Sequence, residues 1–167
     1  MQQENLLTKL LGCQGFYVLD GRIKKEGDIE EVVITLGRGR GHICSECGQE
    51  VNSRHSSYIQ EVRHLHLWRY LTVLRFEKVK ARCPLCGIRV EKLDFLDKHS
   101  RFTKELSHQI GELCKAMTIE NVATFEHLHW QTVKEIDKRA IERAQAERDL
   151  DGITVLGIDE TFSGSWA

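Results

Sequence analysis

The sequence has no run of 18 apolar residues, and its first residues do not form a charged segment followed by an apolar one. We therefore expect neither a membrane span nor a secretory leader, and we predict a cytoplasmic protein with no membrane partner. The sequence also lacks an overall excess of charge, because its formal net charge is −1. Taken alone, that balance argues against binding to nucleic acid.

The near-zero net charge hides an uneven distribution along the chain. Residues 1–37 carry 4 basic and 6 acidic side chains, residues 38–104 carry 14 and 7, and residues 105–167 carry 6 and 12. A local excess of Lys and Arg can neutralise phosphates whatever the total charge is. The middle segment is therefore the candidate for electrostatic contact with DNA.

Four of the six cysteines form two Cys-x-x-Cys-Gly motifs, which we call the first knuckle (44–48) and the second knuckle (83–87). Each knuckle makes two thiolates converge, and two knuckles supply the four ligands of a tetrahedral structural Zn²⁺ site. A pair of disulfides and replacement of one ligand by a nearby His are the alternatives, but the missing leader favours a reducing compartment. The predicted metal ligands are Cys44, Cys47, Cys83 and Cys86.

The fold class that these patterns predict is α+β, built from several small modules. Residues 1–41 form an N-terminal helix and a β meander, in which Asp20-Gly21 and Gly27-Asp28 mark turns. The segment Gly37–Gly41 follows as a linker. Its Arg38 and Arg40 either touch a DNA backbone or lie in an inert loop.

Residues 42–100 are predicted to form the zinc ribbon, with extended segments at 58–62 and 70–82 between the knuckles. Alternation by two places residues 72, 74, 76, 78, 80 and 82 on one face of a strand. Lys78, Lys80 and Arg82 would then give a basic edge that leads into the second knuckle. We predict that these three side chains contact DNA phosphates.

Residues 101–149 change to helical periodicity and are predicted to form an all-α helix-turn-helix with an extended last helix. Thr103 and Thr118 can cap the first two helices, and Val122, Ala123 and Phe125 would face inward. His127 would occupy the turn and His129 would cap the last helix. The alternative is an ordinary three-helix packing unit.

If the motif reads DNA, the side chains positioned to do so lie on the last helix. Residues near its start reach base edges, and later ones reach phosphates. The candidates are Gln131 and Lys134 for bases, and Lys138 and Arg139 for phosphates.

Residues 150–167 contain a mostly apolar strand, 153–158, that leads to Asp159 and Glu160. In a sheet, such a strand can position a metal-binding Asp. Together with the paired knuckles, the basic strand and the helix-turn-helix, the segment Leu156-Gly157-Ile158-Asp159-Glu160 resembles the N-terminal part of the ISL3-family transposases of bacterial insertion sequences. The resemblance covers nearly the whole chain, in the same order.

The resemblance implies a bacterial, nucleoid-associated protein whose zinc ribbon and helix-turn-helix recognise double-stranded DNA at terminal inverted repeats. It also implies that residues 150–167 begin an RNase H-like domain, in which three carboxylates hold two Mg²⁺ or Mn²⁺ ions. Asp159 matches the first carboxylate, and the family's second Asp and final Glu do not follow in this sequence. We therefore expect that this chain alone does not cleave DNA.

Two functions of the chain by itself remain open on the sequence, and a third, an intact enzyme, remains only if the chain is a fragment whose missing residues carry the other two carboxylates. The first is DNA binding, with a possible homodimer formed through residues 140–149. The second is regulation through protein contacts, in which a truncated chain pairs with full-length transposase and inhibits it. The acidic C-terminal third favours the second reading, and the basic middle segment favours the first.

Overall fold

The computed structural model describes residues 6–27 and 29–146, which form a mixed sheet followed by a helical bundle. The strands are β1 (Phe16–Glu26), β2 (Ile29–Arg38), β3 (His42–Ile43), β4 (Glu50–Val51), β5 (Arg54–Leu67), β6 (Tyr70–Cys83) and β7 (Gly87–Val90). The helices are α1 (Leu6–Leu10), α2 (Lys104–Cys114), α3 (Ile119–Glu126) and α4 (Trp130–Ala146). In the part of the chain described, no helix is long and apolar enough to cross a membrane.

One sheet joins the first two predicted modules. Its strand order is β1-β2-β6-β5, with β7 paired to β6, and β3 and β4 form a separate two-stranded ribbon. The β2–β6 pair is parallel and the other pairs are antiparallel. The meander predicted for residues 1–41 therefore extends the strands that link the knuckles, and the predicted boundary at residue 41 does not separate two sheets.

One turn prediction and the linker prediction in this region were wrong. Asp20-Gly21 lies inside β1, beside a β-bulge that falls between Val18 and Asp20, and the chain reverses only near Gly27. The predicted linker 37–41 is largely ordered, since β2 continues through Arg38 and the Gly39 amide donates to the carbonyl of Gly15. Gly-containing dipeptides mark bulges as well as turns, and only the strand partners decide between them.

The sheet packs one face onto an apolar core at the N-terminal end. Phe16, Phe76 and Phe95 meet edge to face, with ring centroids 5.5–5.6 Å apart. Buried aliphatic residues of β2, β5, β6 and the segment after β7 complete it: Ile34, Leu36, Val62, Leu74, Leu93 and Leu96. Such aromatic pairs add about 0.5–1.5 kcal/mol beyond the area they bury.

The helices have their own core, formed by Leu106, Ile110, Val122, Val133 and Ile136. The predicted caps are confirmed: the Thr103 and Thr118 hydroxyls accept from the amides of Leu106 and Asn121. Phe125, expected to face inward, is half-exposed, and Glu126 is fully buried in its place. Residues 147–167, which include the predicted strand 153–158 and Asp159, lie outside the described residues.

Candidate metal centre and nucleic-acid interface

The four cysteines of the two knuckles converge as predicted. The Sγ atoms of Cys44, Cys47, Cys83 and Cys86 all lie within 4.8 Å of one another. The knuckle glycines Gly48 and Gly87 have φ values of 72° and 74°. Most residues with a Cβ are strained in that left-handed conformation, so Gly is suited to closing each knuckle.

The donor set fits a tetrahedral zinc ion rather than disulfides. The sulfurs of Cys47 and Cys83 are 3.6 Å apart, and the described cysteines are all free thiols. A disulfide needs about 2.05 Å between sulfurs, whereas two thiolates bound to one zinc lie about 3.8 Å apart, given Zn–S distances of about 2.3 Å. Hydrogen bonds from the backbone amides of Cys47 and Glu46 lower the pKa of Cys44 to about 7, whereas the hydrogen bond with the Cys47 thiol and burial raise the pKa of Cys86 to about 12. Cys44 is therefore the thiol most ready to become the thiolate that a metal requires.

The knuckles are built into the sheet by a small buried cluster. β6 ends at Cys83 and β3 ends just before Cys44, and both cysteines are buried beside Val51 and Ala81. The amide of Cys44 donates to the carbonyl of Gln49, which closes the first knuckle. A metal held here would therefore fix the ends of strands that are far apart in the sequence.

The face of β6 changes from buried to exposed along its length. Thr72, Leu74, Phe76 and Lys78 are buried, whereas Lys80 and Arg82, on the same face, are exposed. The residues between them, Val79 and Ala81, are buried, and Ala81 packs beside the cysteines of the metal centre. Alternation by two is thus confirmed, but the exposed basic edge contains only Lys80 and Arg82, because Lys78, its first predicted member, is buried.

The predicted basic residues before the first knuckle are held by carboxylates. The guanidinium of Arg38 donates to Glu91 Oε1 at 2.7 Å and lies over the ring of Phe16. The guanidinium of Arg40 donates to Asp94 Oδ2 at 2.7 Å. Both arginines therefore connect β2 and the following residues to the segment after β7, and neither belongs to a flexible linker.

α3, the turn and α4 have the geometry of a helix-turn-helix. His127 adopts the left-handed conformation, with φ 50° and ψ 47°, and the amide of Leu128 donates to the carbonyl of Ala123. His129 Nδ1 accepts from the amide of Gln131 at 3.3 Å, so His129 caps α4 as predicted. Val133 and Ile136 face the core, which leaves the opposite side of α4 free.

The DNA-reading candidates lie on that free side. Gln131, Lys134, Lys138 and Arg139 are all exposed. Lys134 Nζ is 5.9 Å from the ring of Trp130, and Lys138 Nζ is 4.0 Å from Glu142. The free face is therefore polar and mixed in charge, with its cations nearer the start of the helix than the acidic Glu142.

A buried group that the sequence did not reveal attaches the helices to the sheet. Glu126, at the end of α3, lies 3.1 Å from His66 Nε2 and accepts from the side-chain amide of Gln109 at 3.3 Å. On the same strand, His64 Nδ1 lies 2.9 Å from the hydroxyl of Thr103, the cap of α2. Burial lowers the pKa of His64 and of His66, and Glu126 opposes the shift at His66.

The signal that could have found this contact is the pair of His residues at alternate positions of β5, where a solvated strand would carry Lys or Glu. Two backbone hydrogen bonds strengthen the contact between β5 and the start of the helices. The amide of Arg63 donates to the carbonyl of Arg101, and the amide of Thr103 donates to the carbonyl of Arg63, each at 2.9 Å. The zinc-bearing sheet and the helix-turn-helix therefore form one connected structure.

Comparison with known proteins assigns both units to one family. Residues 40–87 match the family model for the zinc finger of transposases IS204/IS1001/IS1096/IS1165. Residues 91–141 match the model for the helix-turn-helix domain of transposase family ISL3. No solved structure matches the chain.

A curated relative is similar to this sequence over nearly the whole chain. The chain is 31% identical to the transposase for insertion sequence element IS1001 of Bordetella parapertussis over 161 residues, which make up 96% of this chain and 40% of the relative. The chain therefore spans less than half of that protein. With a four-cysteine centre and a helix-turn-helix in the order of the two family models, the chain belongs to the ISL3 family of transposases.

Proposed function

We propose that this chain binds double-stranded DNA at the terminal inverted repeats of an insertion sequence, with α4 in the major groove. The observation that carries the proposal is the exposed polar face of α4, the second helix of a well-formed helix-turn-helix. A helix of this diameter fits the major groove of B-DNA, where each base pair presents its own pattern of donors and acceptors. Proteins with this motif read bases with the N-terminal residues of the second helix.

Gln131 and Lys134 are the proposed base contacts. The Gln amide can pair with both N6 and N7 of adenine, and Lys donates to O6 and N7 of guanine. Lys138 and Arg139 follow Lys134 by little more than one turn, where the groove wall brings phosphates near. Glu135 is exposed and lies between Lys134 and Lys138 in the sequence. Its negative charge repels phosphates, and it therefore restricts how α4 can be positioned along the groove.

Lys80 and Arg82 are the proposed phosphate contacts of the sheet, because both are exposed and neither has an ion-pair partner among the residues described. Arg38, Arg40 and Lys78 are less suited to that role. The two arginines already pair with Glu91 and Asp94, and Lys78 is covered. The metal centre contributes by holding β6 rigid up to its last residue.

The test is fluorescence anisotropy with a duplex that carries the terminal inverted repeat and a scrambled duplex of the same composition. We expect tighter binding to the repeat and an affinity that falls steeply as salt rises, because phosphate contacts release counterions. Equal affinity for both duplexes would contradict repeat recognition. Absence of salt dependence would contradict binding through phosphates.

A second function is supported by the end of α4. The helix continues through residues 141–146, which are exposed, and Ile141 is 49% exposed there. This extension would suit a homodimer or pairing with a longer transposase, and in the second case the chain would act as a regulator. Light scattering of Ile141→Glu against the parent chain, alone and mixed with a full-length transposase, tests both, since either complex through this helix would dissociate.

The catalytic proposal rests on the resemblance alone. If residues 150–167 begin an RNase H-like domain, Asp159 would be one carboxylate of a site that holds Mg²⁺ or Mn²⁺ in a full-length transposase. The described residues bear only on the DNA-binding part. Nucleoid association is likewise a proposal that follows from DNA binding.

A further inference from the structure

The turn of the β5–β6 hairpin carries an exposed Trp. Among the residues described, Trp68 is the most exposed of the large apolar side chains, at 86%. Leu67 pairs with Tyr70, so the turn consists of Trp68 and Arg69, which we call the hairpin tip. Trp68 has a φ of 57° and Arg69 has no positive φ. A two-residue turn with this pattern favours Gly at its first position, because a Cβ is strained there.

A Trp at the first position of this turn stabilises neither the turn nor a core. Turn chemistry favours Gly, and a ring that is 86% exposed gains little from burial. An exposed apolar side chain is ordinary on a protein surface, but here it is combined with a left-handed backbone that lowers stability. Such a combination indicates a side chain that acts on another molecule.

The hairpin tip stands beside the turn of the helix-turn-helix. One cleft of about 350 Å³ is lined by Trp68 and Arg69 together with Phe125, at the end of α3, and His127. The helix α4 begins three residues after His127, and its first turns carry the proposed base contacts. The tip is therefore next to the element that we propose to enter the major groove.

Contacts of the hairpin fix the position of the tip relative to that turn. The ring of His66, in β5 just before the tip, stacks on Phe125 with ring centroids 5.8 Å apart. His66 Nε2 also lies 3.1 Å from the buried carboxylate of Glu126. At the base of the turn, the amide of Leu67 donates to the hydroxyl of Thr72 at 3.0 Å. The tip is thus presented at a constant place beside the helix-turn-helix.

The charges around the tip are compatible with a nucleic acid. The side chain of Arg69 is 71% exposed, and its guanidinium lies over the ring of Tyr70 and 3.0 Å from Glu30. Glu30 is the one acidic residue that lines the cleft, and the other titratable groups there are His66 and His127. An exposed ion pair of this kind is weak, so the guanidinium can turn to a phosphate with little loss.

We propose that the hairpin tip is a second DNA-binding element, which contacts the duplex beside the segment of major groove that α4 occupies. The proposal rests on the proposed binding of DNA by α4. Trp68 lies against sugars and base edges of the adjacent minor groove, where apolar side chains and Arg are common contacts, and Arg69 lies against a phosphate. Because every nucleotide offers an apolar surface to a Trp ring, the tip adds affinity with little sequence preference.

The first test compares the stability and the DNA binding of Trp68→Gly with those of the parent chain. We expect an equal or higher midpoint of thermal unfolding, because Gly suits a φ of 57°. Affinity for the inverted-repeat duplex should be about fivefold weaker or more, with the preference over a scrambled duplex unchanged. Leu10→Ser, which removes a 69% exposed side chain from α1, is the matched control and should bind like the parent.

Two results of this comparison contradict the proposal. A lower midpoint for Trp68→Gly would show that the ring serves the fold, and an unchanged affinity would show that it does not contact DNA. Arg69→Gln, which leaves the first position of the turn intact, gives an independent readout. It should reduce the salt slope of binding by about one, and an unchanged slope would count against the tip.

The length of the duplex locates the contact. A duplex cut back to the base pairs read by α4 should bind the parent and Trp68→Gly equally. A duplex extended by about ten base pairs on each side, one helical turn, should bind the parent more tightly. If extension strengthens the binding of both chains to the same degree, the added contact lies elsewhere and the proposal is wrong.

Trp fluorescence reports the contact directly. The chain has three Trp residues, so Trp68 is the sole emitter in Trp130→Phe/Trp167→Phe. We expect the repeat duplex to shield Trp68 from quenching by acrylamide. If a full-length transposase shields it and the duplex does not, the tip binds protein and the proposal is wrong. A parent chain that binds no duplex overturns the role of α4, whereas a chain that binds the repeat while Trp68 stays open to acrylamide overturns the tip alone.

Discussion

Two carboxylates that are almost fully buried, Glu91 and Glu126, hold different parts of this molecule together. Glu91 connects Arg38, His42 and the backbone of β6, and Glu126 connects α3 to His66 and Gln109. A buried carboxylate is costly unless it has polar or charged partners, so each position depends on the neighbours that it has here. Glu126 Oε2 lies 3.1 Å from His66 Nε2 without hydrogen-bond geometry, so this contact is an electrostatic one. Neither residue could be identified from the sequence, because Glu at a helix end or after a strand is usually solvated.

Replacing Glu126 with Ala is expected to lower the free energy of unfolding by about 2 kcal/mol, because His66 and Gln109 lose their shared partner in a buried place. Urea unfolding followed by circular dichroism measures the change. Glu120→Ala, an exposed residue of the same helix, should change it by no more than about 0.5 kcal/mol. Equal effects of the two substitutions would show that Glu126 does not attach the helix to the sheet.

Single elements followed local rules closely, and the exceptions have local causes. The caps Thr103, Thr118 and His129 and the left-handed His127 were predicted because capping depends on a few adjacent residues. Phe125 was expected in the core because it follows the apolar Val122 and Ala123. In the structure, His66 of the sheet contacts Glu126 instead, so Glu126 is buried and Phe125 is half-exposed. The parallel pairing of β2 with β6 could not be predicted, since it joins segments some 40 residues apart and no local turn specifies it.

His127→Gly is expected to raise the free energy of unfolding by about 0.5–1 kcal/mol, because Gly adopts φ 50° without a Cβ penalty. His127→Val should lower it, because a β-branched side chain is strained in that conformation. Thermal unfolding of the two variants beside the parent gives both values. If the Val variant were more stable than the Gly variant, the turn would not be left-handed.

The whole molecule combines a metal-stapled sheet and a helix-turn-helix through the contacts of β5 with α2 and α3. The metal ligands were predictable because their spacing in the sequence is itself the signal, and the four sulfurs meet as expected. The exposure and pairing of the basic residues near these ligands were only partly predictable. Covering of Lys78 and pairing of Arg38 depend on the segment after β7, which carries no motif of its own.

Cys83→Ser is expected to abolish stoichiometric zinc binding, because Cys83 is a buried member of the four-thiol set. Atomic absorption on the purified chain should give one zinc per parent chain and far less for the variant. Cys114→Ser, which alters a cysteine outside the set, should keep the metal. If the parent chain carries no zinc, or Cys83→Ser retains it, the proposed metal centre is wrong.

The central claim is that α4 reads sequence while the metal-stapled sheet holds the backbone. The most direct measurement compares two double variants, Gln131→Ala/Lys134→Ala and Lys80→Gln/Arg82→Gln, on repeat and scrambled duplexes over a range of salt. The first should lose preference for the repeat by about tenfold or more, since base contacts carry about 1–3 kcal/mol each. The second should weaken binding to both duplexes alike and reduce the salt slope by about two. If both variants change the two affinities in the same way, the division between helix and sheet is contradicted.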